Sequence, residues 1–302
     1  MAAQAETRPD VSVVIVTYNV CALLERCLGS LVAAAAGVRY EVIVVDNGSG
    51  DGTWPLIAAR PDVRALRGAR SLGFPRANNL GIACARGRHV LILNPDTELG
   101  PGALAALVRR LDMDPGLGIV GPRLRLPSGV LDPACRRSFP TWRSAALRLL
   151  RVPPRGWLGR DHAYNLAHES PDVECAVDAV SAACMLVRGD ALRAVHGFDP
   201  GYFMYGEDLD LARRLRNAGW RAVYFPQAEV VHNKRQSSRQ REVRTRYEFY
   251  RAMWRYYRTH GRDDPWMLRG VVLGGIVALG AAAVLRRLML RPRSSTQIAR
   301  RP

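Results

Sequence analysis

The amino-acid sequence predicts an α/β fold with a mostly parallel central sheet flanked by helices. Short, almost continuous apolar strands alternate with helical apolar patterns over residues 11–93 of the 302. Strands of this kind are buried on both faces of a parallel sheet. Polar clusters directly follow three of the strands. Because ligands of such sheets bind beyond the carboxyl ends of the strands, these clusters predict a site at one sheet edge.

The periodicity of apolar residues predicts the elements of the first half in chain order. Residues 11–16 form a β-branched strand, and the apolar spacing between Leu23 and Leu31 indicates a helix after it. Residues 41–45 form a second buried strand. Beyond it we expect a short strand over 63–66, a helix over 75–85, a strand over 90–93 and a helix that starts near Pro101.

The second half is less regular. Residues 139–172 contain four prolines and mixed charge, and we interpret them as an insertion or a mobile region. Strand-like stretches return at 173–180 and 184–187. An aromatic loop then leads into a helix over 207–217, which Gly219 ends.

The basic charge is concentrated in the C-terminal tail. Residues 232–302 hold 17 Lys+Arg against 4 Asp+Glu, whereas the first 231 residues account for only +4 of the net charge of +17. A nucleic-acid-binding module would need basic residues spread over the folded surface, so this distribution argues against nucleic acid as a partner.

The tail has two parts. Residues 241–260 are helical in pattern and interleave arginines with aromatic residues. Residues 270–285 are uncharged and lie between Arg269 and Arg286; as a helix they would be about 24 Å long, shorter than the ~30 Å hydrocarbon core of a bilayer. A core helix is one interpretation. The flanking arginines favour an interfacial or marginally inserted anchor on an anionic membrane surface.

The cysteines and the N-terminus indicate the compartment. Six cysteines are scattered without a CxxC or CxxH pair, which predicts a reducing environment without a disulfide framework or a zinc site. The first ten residues have no apolar segment typical of a signal peptide. We therefore expect the folded part to lie in the cytoplasm.

Three polar clusters at strand ends are candidates for binding. They are Thr17-Tyr18-Asn19, Asp46-Asn47-Gly48-Ser49 and Asn94-Pro95-Asp96. Taken alone, Asp46 could belong to a turn, and Asp96 could cap the helix near Pro101. Two carboxylates at the same sheet edge favour function, because a hard divalent cation prefers oxygen ligands.

Glu207, Asp208 and His232 are further candidates. The two acids could simply favour a helix N-terminus. The aromatic stretch "YFMY" before them could instead exclude water and raise a carboxylate pKa toward that of a general base. His232 follows the apolar "EVV" and is either structural or a metal or phosphate ligand.

Together these motifs resemble the GT-A-fold glycosyltransferases of family 2, particularly the bacterial rhamnosyltransferase-like members. The similarity runs in family order over roughly three-quarters of the chain, about residues 11–238. The matching segments are "VSVVIVTYN", "VVDNGSGDGT", "SLGFPRANNLGIACARG", "LILNPDTEL", "VGPRL", "RRSFPT", "VDAVSAACMLVRGDAL", "GFDPGYFMYGEDLDLARRLRNAGW" and "VVHNKRQSS".

The resemblance implies a nucleoside-diphosphate sugar as donor. Thr17, Tyr18 and Asn19 would line its nucleotide, and Asp46 would accept a hydrogen bond from the ring N–H of the base. The contacts to the sugar diphosphate would come from Arg76, Asn79 and Asn94.

The resemblance also implies a metal site and a catalytic base. Asn94-Pro95-Asp96 stands where the family has its DxD-type motif, so Asp96 would bind Mg²⁺ or Mn²⁺, with His232 as a second contact. Asp208 would deprotonate the acceptor hydroxyl for in-line attack with inversion.

The family pattern is not followed everywhere. Ala179-Val180-Ser181-Ala182 stands where many relatives have Trp-Val-Ser-Gly, and Asn233-Lys234-Arg235-Gln236 replaces a Gly-rich segment. The first departure affects the expected acceptor pocket, and the second affects the expected phosphate contacts.

We therefore predict an inverting, metal-dependent glycosyltransferase on the cytoplasmic side of the cell membrane. Its donor would be dTDP-rhamnose and its acceptor a lipid-linked glycan or polysaccharide of the cell envelope, with a UDP-sugar as the alternative donor. The catalytic domain would cover residues 1–238, with a nucleotide-sugar half over 11–100 and an acceptor half over 101–238. Residues 239–302 would form the membrane-associating helical tail.

Functions of other classes are less well supported. A dehydrogenase on a dinucleotide-binding fold would need GxGxxG directly after the first strand, where "VTYNV" stands instead. A non-catalytic, nucleotide-binding module attached to the membrane is the remaining alternative.

Overall fold

The computed structural model describes residues 8–68, 71–141, 164–234, 242–262 and 264–289. The strands are β1 Val11–Thr17, β2 Tyr40–Asp46, β3 Val63–Arg67, β4 His89–Leu93, β5 Thr97–Leu99, β6 Leu117–Arg125, β7 Arg136–Arg137, β8 Cys175–Val177, β9 Ala179–Val180, β10 Cys184–Arg188 and β11 Arg221–His232. The helices are α1 Cys21–Ala35, α2 Thr53–Ala58, α3 Phe74–Cys84, α4 Ala103–Asp112, α5 Gly189–Ala194, α6 Glu207–Asn217, α7 Glu242–His260 and α8 Trp266–Met289.

Nine of the described strands form one mixed sheet. Its order is β3-β2-β1-β4-β10-β6-β11-β5, with β8 paired to β11. The strands β3, β2, β1 and β4 are parallel, as is the pair β6 and β11, whereas β10, β5 and β8 run antiparallel to their neighbours. A separate two-stranded sheet pairs β7 with β9. The predicted α/β architecture with a mostly parallel central sheet is confirmed.

Both faces of the sheet are covered by apolar clusters. On one face Val13 and Ile15 pack with residues of α1 and α4. On the other face Val14 and Ile92 pack with residues of α5 and α6. Successive side chains of a strand point to opposite faces, so burial on both faces explains the nearly continuous apolar sequence of β1.

Helix α3 lies close against β1 and β2. A Cβ on Gly81 would overlap the Val14 side chain, so this glycine permits the close approach. Ala77 packs with Val16 and Val45 at the carboxyl ends of the same two strands. The start of α3 is thereby held beside the edge where the polar clusters lie.

The predicted elements of the first half are all present. The predicted helix over 207–217 coincides with α6, and the strand-like stretch 173–180 is divided between β8 and β9, which belong to different sheets. Most of the irregular region predicted over 139–172 lies outside the described residues.

Two long strands were not predicted. β6 contains Gly118, Gly121 and Pro122, residue types that are depleted from strands. A Cβ on Gly121 would overlap the Val180 side chain, so the close approach of β9 requires glycine there. β11 contains Pro226 and changes register against β6 between Phe225 and Glu229. Both strands break the regular pattern from which a strand is recognised in a sequence.

Helix α7 packs directly on the apolar cluster that contains α6. Its Ala252 and Tyr256 are members of the same apolar cluster as α6. Arg255 of α7 forms an ion pair with Asp199, with Nη2 at 2.7 Å from Oδ2. The inner face of α7 is thus part of the protein core, although its sequence belongs to the basic tail.

Helix α8 packs against α7 residues other than those that contact α6. Val272 and Ile276 contact Tyr257, whereas Trp266, Val271 and Val277 are exposed. The stretch Trp266–Ala283 is long and apolar enough to cross a membrane, and 11% of it is buried. An exposed apolar helix therefore follows the core helix α7.

Candidate active site

The three predicted polar clusters lie on neighbouring strands. β1 pairs with β2 on one side and with β4 on the other, with Thr17 opposite Asp46 and Ile15 opposite Leu93. The carboxyl ends of all three parallel strands therefore meet at one sheet edge. We refer to Thr17, Asp46 and Asp96 at this edge as the strand-end cluster.

Asp46 has one carboxylate oxygen in use and one free. Its side chain is fully buried, and Oδ1 accepts a hydrogen bond from the Ser49 backbone N–H at 3.0 Å. Oδ2 has no hydrogen-bond partner among the described residues, and the Arg67 guanidinium approaches it only to 3.8 Å. Since an unpaired buried acceptor is costly, this oxygen is suited to a ligand N–H.

The side chains at the end of β1 differ in their hydrogen bonds. The hydroxyl of Thr17 is buried and has no partner in the described part of the chain. Asn19 has a left-handed backbone with φ 52°, and its side-chain oxygen accepts the Gly50 N–H at 2.7 Å. The backbone N–H of Asn19 donates to Ser49 Oγ at 2.9 Å. Asn19 therefore joins the loops after β1 and β2, whereas Tyr18 is half-buried beside them.

Arg76 and Asn79 on α3 contact the loop that precedes α6. Asn79 accepts the Phe198 N–H at 2.9 Å and donates to the Phe198 carbonyl at 2.8 Å. Arg76 Nε donates to the Pro200 carbonyl at 3.0 Å. Both side chains attach the aromatic loop to α3, and their predicted contact with a sugar diphosphate stays a prediction.

Asp96 faces His232 across the junction of β5 and β11. His232 pairs with Thr97 in the strand register, and the Asn233 N–H donates to the Asp96 carbonyl at 2.7 Å. His232 Nε2 lies 3.4 Å from Asp96 Oδ1, and this oxygen has no hydrogen-bond partner in the described ranges. A carboxylate oxygen and an imidazole nitrogen that face each other fit a divalent metal ion. The Asn94 backbone is fixed nearby, where its N–H donates to the Ala183 carbonyl at 2.9 Å.

His232 is also bound on its other side. Its Nδ1 lies 3.0 Å from Oδ2 of the fully buried Asp132, and Lys234 Nζ donates to Asp132 Oδ1 at 2.8 Å. Burial alone would lower the pKa of His232, but the hydrogen bond to Asp132 and the nearby Asp96 carboxylate raise it to about 9. Without a metal, His232 is therefore an imidazolium between two carboxylates.

Asp208, the predicted base, lies in the first turn of α6. Tyr205 and Gly206 both have left-handed backbones, with φ 70° and 76°, and turn the chain into the helix. Asp208 Oδ2 accepts a hydrogen bond from Arg137 Nη2 at 2.6 Å and a weaker one from the Ala182 N–H at 3.4 Å. Both partners come from the small β7–β9 sheet region, so this sheet fixes the orientation of the Asp208 carboxylate.

The Asp208–Arg137 ion pair is almost completely buried. Arg137 also donates to the Val180 carbonyl at 2.9 Å. Burial would lower the pKa of the Arg137 guanidinium, but the adjacent Asp208 carboxylate raises it well above its usual value. A permanent cation therefore compensates the buried charge of Asp208.

Glu207 lies beside Asp208 but has different surroundings. It is 7% exposed, and its Oε2 has no hydrogen-bond partner among the described residues. Burial and the neighbouring Asp208 charge raise the pKa of Glu207 to about 8. At neutral pH Glu207 is therefore mainly protonated.

Two residues of this site were missed in the sequence. Arg137 lies in the segment "RRSFPT", which supported the resemblance without a role being assigned to it, and Asp132 was not considered at all. They are 71 and 100 residues from their partners Asp208 and His232. The only sequence feature that pointed to a role for Arg137 was its place in a segment that matches the family.

The family of the protein follows from comparison with known sequences. A family model described as "Glycosyltransferase like family 2" matches residues 9–262. The chain belongs to glycosyltransferase family 2. This glycosyltransferase is 38% identical over 241 residues to N-acetylglucosaminyl-diphospho-decaprenol L-rhamnosyltransferase of Mycobacterium tuberculosis (strain CDC 1551 / Oshkosh), covering 75% of this chain and 76% of the relative. It is 30% identical over 285 residues to the pre-mycofactocin glycosyltransferase of the same strain, covering 92% and 54%.

Solved structures confirm the GT-A fold of the glycosyltransferase. The mannosyltransferase PcManGT from Pyrobaculum calidifontis, in complex with GDP-Man and Mn²⁺, has a TM-score of 0.59 at 20% identity and covers 94% of this chain and 81% of its own. GalNAc-T7 with UDP, GalNAc and Mn²⁺ has a TM-score of 0.54 at 16% identity and covers 76% and 44%. The predicted enzyme class and fold are both confirmed.

Proposed function

We propose that this glycosyltransferase moves L-rhamnose, with inversion, from dTDP-rhamnose to a lipid-linked glycan or polysaccharide acceptor in cell-envelope synthesis. The observation that carries the proposal is the strand-end cluster, where buried oxygens of three neighbouring segments lack partners along one edge. The name of the 38% identical relative supports rhamnose as the sugar and a lipid diphosphate as carrier of the acceptor.

The nucleotide binds at the ends of β1 and β2. The free Oδ2 of Asp46 accepts the ring N–H of the base, while Thr17 and Tyr18 line its surroundings. Asn19 contributes by holding the two loops together through Gly50. Thymine and uracil present the same ring N–H, so a UDP-sugar is the second candidate donor.

The diphosphate binds near Asp96. Asp96 and His232 would hold Mg²⁺ or Mn²⁺, and the bound metal would stabilise the negative charge of the leaving nucleoside diphosphate. Asn94 replaces the first acid of the family motif and so adds no negative charge beside the diphosphate. Arg76 and Asn79 of α3 are the proposed contacts to the sugar diphosphate. Both also bind the loop before α6, through Pro200 and Phe198.

Asp208 acts as the general base. It accepts the proton of the acceptor hydroxyl as that oxygen bonds to the anomeric carbon, and the bond from this carbon to the diphosphate oxygen breaks on the opposite side. The ion pair with Arg137, with Nη2 at 2.6 Å from Oδ2, holds the Asp208 carboxylate in one orientation. Protonated Glu207 adds no second negative charge next to it.

The tail attaches the enzyme to the cytoplasmic side of the membrane. The exposed Trp266, Val271 and Val277 of α8 supply apolar area, and the arginines of the tail supply attraction to anionic lipids. In this proposal residues 1–238 form the catalytic domain, and residues 239–302 form the tail, with α7 joining the two through its core contacts.

A donor screen tests the proposal. The full chain is incubated with dTDP-rhamnose, UDP-sugars and GDP-mannose, each with and without Mg²⁺ or Mn²⁺, and release of nucleoside diphosphate is measured. We expect metal-dependent turnover of dTDP-rhamnose that EDTA abolishes and that a polyprenyl-diphosphate-linked acceptor accelerates. Metal-independent turnover, or a preference for GDP-mannose, would contradict the assignment. A preference for UDP-sugars would select the second candidate.

A further inference from the structure

We propose that Asp132 is a positioning residue that directs His232 Nε2 toward the metal site at Asp96. The inference rests on the proposed metal-dependent function and adds a residue to it. Asp132 touches neither Asp96 nor a predicted donor contact, and it acts only through the imidazole of His232.

The first observation is the order of the side chains. His232 lies between two carboxylates, with Nδ1 at 3.0 Å from Asp132 Oδ2 and Nε2 at 3.4 Å from Asp96 Oδ1. An imidazole that donates its Nδ1–H to a carboxylate has its Nε2 available as a ligand. Histidines that bind metals almost always donate their other ring N–H to a carboxylate, a carbonyl or water. Asp132 occupies this outer position.

The second observation is that Asp132 is rigidly held. Its side chain is 0% exposed, and Oδ1 accepts the Ala134 N–H at 3.0 Å and the Lys234 ammonium at 2.8 Å. Its own backbone N–H donates to the Leu124 carbonyl at 2.8 Å. These three hydrogen bonds fix the Asp132 carboxylate, which in turn restricts the imidazole of His232 to one orientation.

The third observation explains why a full carboxylate can be buried there. Lys234, the only lysine of the chain, reaches Asp132 from the outer side, where its side chain is 40% exposed. Its charge compensates the buried carboxylate of Asp132.

Asp132 could alternatively serve only the stability of the loop between β6 and β7. The two roles differ in one measurable respect. A residue that orients His232 affects metal binding only while His232 is present, whereas a residue needed for the loop affects metal binding and stability whatever stands at position 232.

A double-mutant cycle separates these roles. Mn²⁺ affinity is measured on the full chain without nucleotide, from the EPR signal of free Mn²⁺, for wild type, Asp132→Asn, His232→Gln and the double variant. Outer carboxylates of this kind change metal affinity by about 10–100-fold, so we expect Asp132→Asn to weaken Mn²⁺ binding at least tenfold. In the His232→Gln background the same change should alter the affinity less than twofold.

Asp114→Asn is the matched control, because Asp114 likewise pairs with a basic residue of β11 and accepts a nearby backbone N–H, but precedes β6 instead of following it. We expect it to bind Mn²⁺ no more weakly than wild type, within twofold. Thermal unfolding of each variant is followed in parallel. An equal loss for Asp132→Asn and Asp114→Asn, an unchanged affinity of Asp132→Asn, or the same loss with and without His232 would overturn the inference.

Asp96→Asn separates this inference from the proposed function. If Asp96→Asn binds Mn²⁺ as tightly as wild type, the metal site itself is wrong, and the role of Asp132 falls with it. If Asp96→Asn loses binding but Asp132→Asn does not, only the role of Asp132 is wrong.

Discussion

The strand-end cluster and the surroundings of Asp208 are built in opposite ways. Thr17 and Asp46 are the last residues of β1 and β2, Asp96 lies three residues after β4, and the parallel pairing of these strands brings their carboxyl ends to one edge. Asp208 depends on Arg137, 71 residues away, and on a loop held by α3 and α7. The ends of β1, β2 and β4 are therefore recognisable from local sequence, whereas the surroundings of Asp208 are assembled from distant segments.

The two regions also differ in how their charges are paired. Buried oxygens of the strand-end cluster lack hydrogen-bond partners in the described chain, so binding of a donor gains contacts there. The Asp208 carboxylate already has its partners before any ligand arrives. This difference in hydrogen bonding predicts that substitutions in the strand-end cluster mainly weaken nucleotide binding. Substitutions near Asp208 should mainly lower kcat.

The largest effect is expected at Asp208. Asp208→Asn should lower kcat by about 10³-fold, because the amide does not accept the acceptor proton, while the Kd for the nucleotide stays within threefold. Transfer assays and calorimetric titration of dTDP measure the two quantities. Asp190→Asn, an exposed acid on α5, serves as control. Near-normal turnover of Asp208→Asn would show that another group is the base.

The reverse pattern is expected at Asp46. In Asp46→Asn an amide N–H₂ can replace the free acceptor Oδ2, so the ring N–H of the base loses its partner at a cost of roughly 1–3 kcal/mol. The Kd for dTDP should rise about 10–100-fold, with kcat at saturating donor changed less than threefold. Asp62→Asn, an exposed acid paired with Arg60 beyond α2, should leave the Kd unchanged. If kcat falls by the same factor as the affinity for dTDP, the two regions do not differ in the predicted way.

A smaller effect is expected from α7. Arg255→Gln breaks the ion pair with Asp199 in the loop before α6, so the acceptor KM should rise or kcat should fall about fivefold without a change in donor KM. Arg251→Gln is the matched control, because Arg251 pairs with Glu248 on α7 itself. Steady-state kinetics with each substrate varied in turn would detect the difference. If both variants behave alike, α7 does not support the base.

The smallest effect is a pH dependence of stability that arises from Glu207. Its pKa is raised from an ordinary value of 4.5 to about 8, so between these values the folded protein holds a proton that the unfolded chain has lost. The free energy of unfolding of wild type should therefore fall as pH rises from 5 to 8, by at least about 1 kcal/mol relative to Glu207→Gln. Urea unfolding at several pH values tests this. Parallel curves for the two proteins would contradict the assigned environment of Glu207.

The sequence predicted the strands of the first half and their polar ends well because this information is local. Apolar runs that end in polar residues define both the strands and the residues at their ends, so Asp46 and Asp96 were found together with β2 and β4. The same reasoning gave α6 its observed bounds, because an aromatic loop, two acids and Gly219 delimit it.

The missed features all depend on contacts between distant segments. β6 contains Gly121, which the close packing of Val180 requires, and β11 continues past Pro226 through a change of register. Arg137 and Asp132 became recognisable only when the fold placed them next to Asp208 and His232. Nothing in the sequence around either residue specifies that partner.

The packing of α7 has a practical consequence for shortened forms of the enzyme. A protein ending at residue 238 would lose Ala252 and Tyr256 from the core and Arg255 from Asp199, and it would expose the apolar surface beneath them. A protein ending at Gly261 would keep these contacts and remove the exposed apolar face of α8. The position for removing the exposed apolar helix α8 therefore lies between the two helices of the tail and not directly after the last strand, β11.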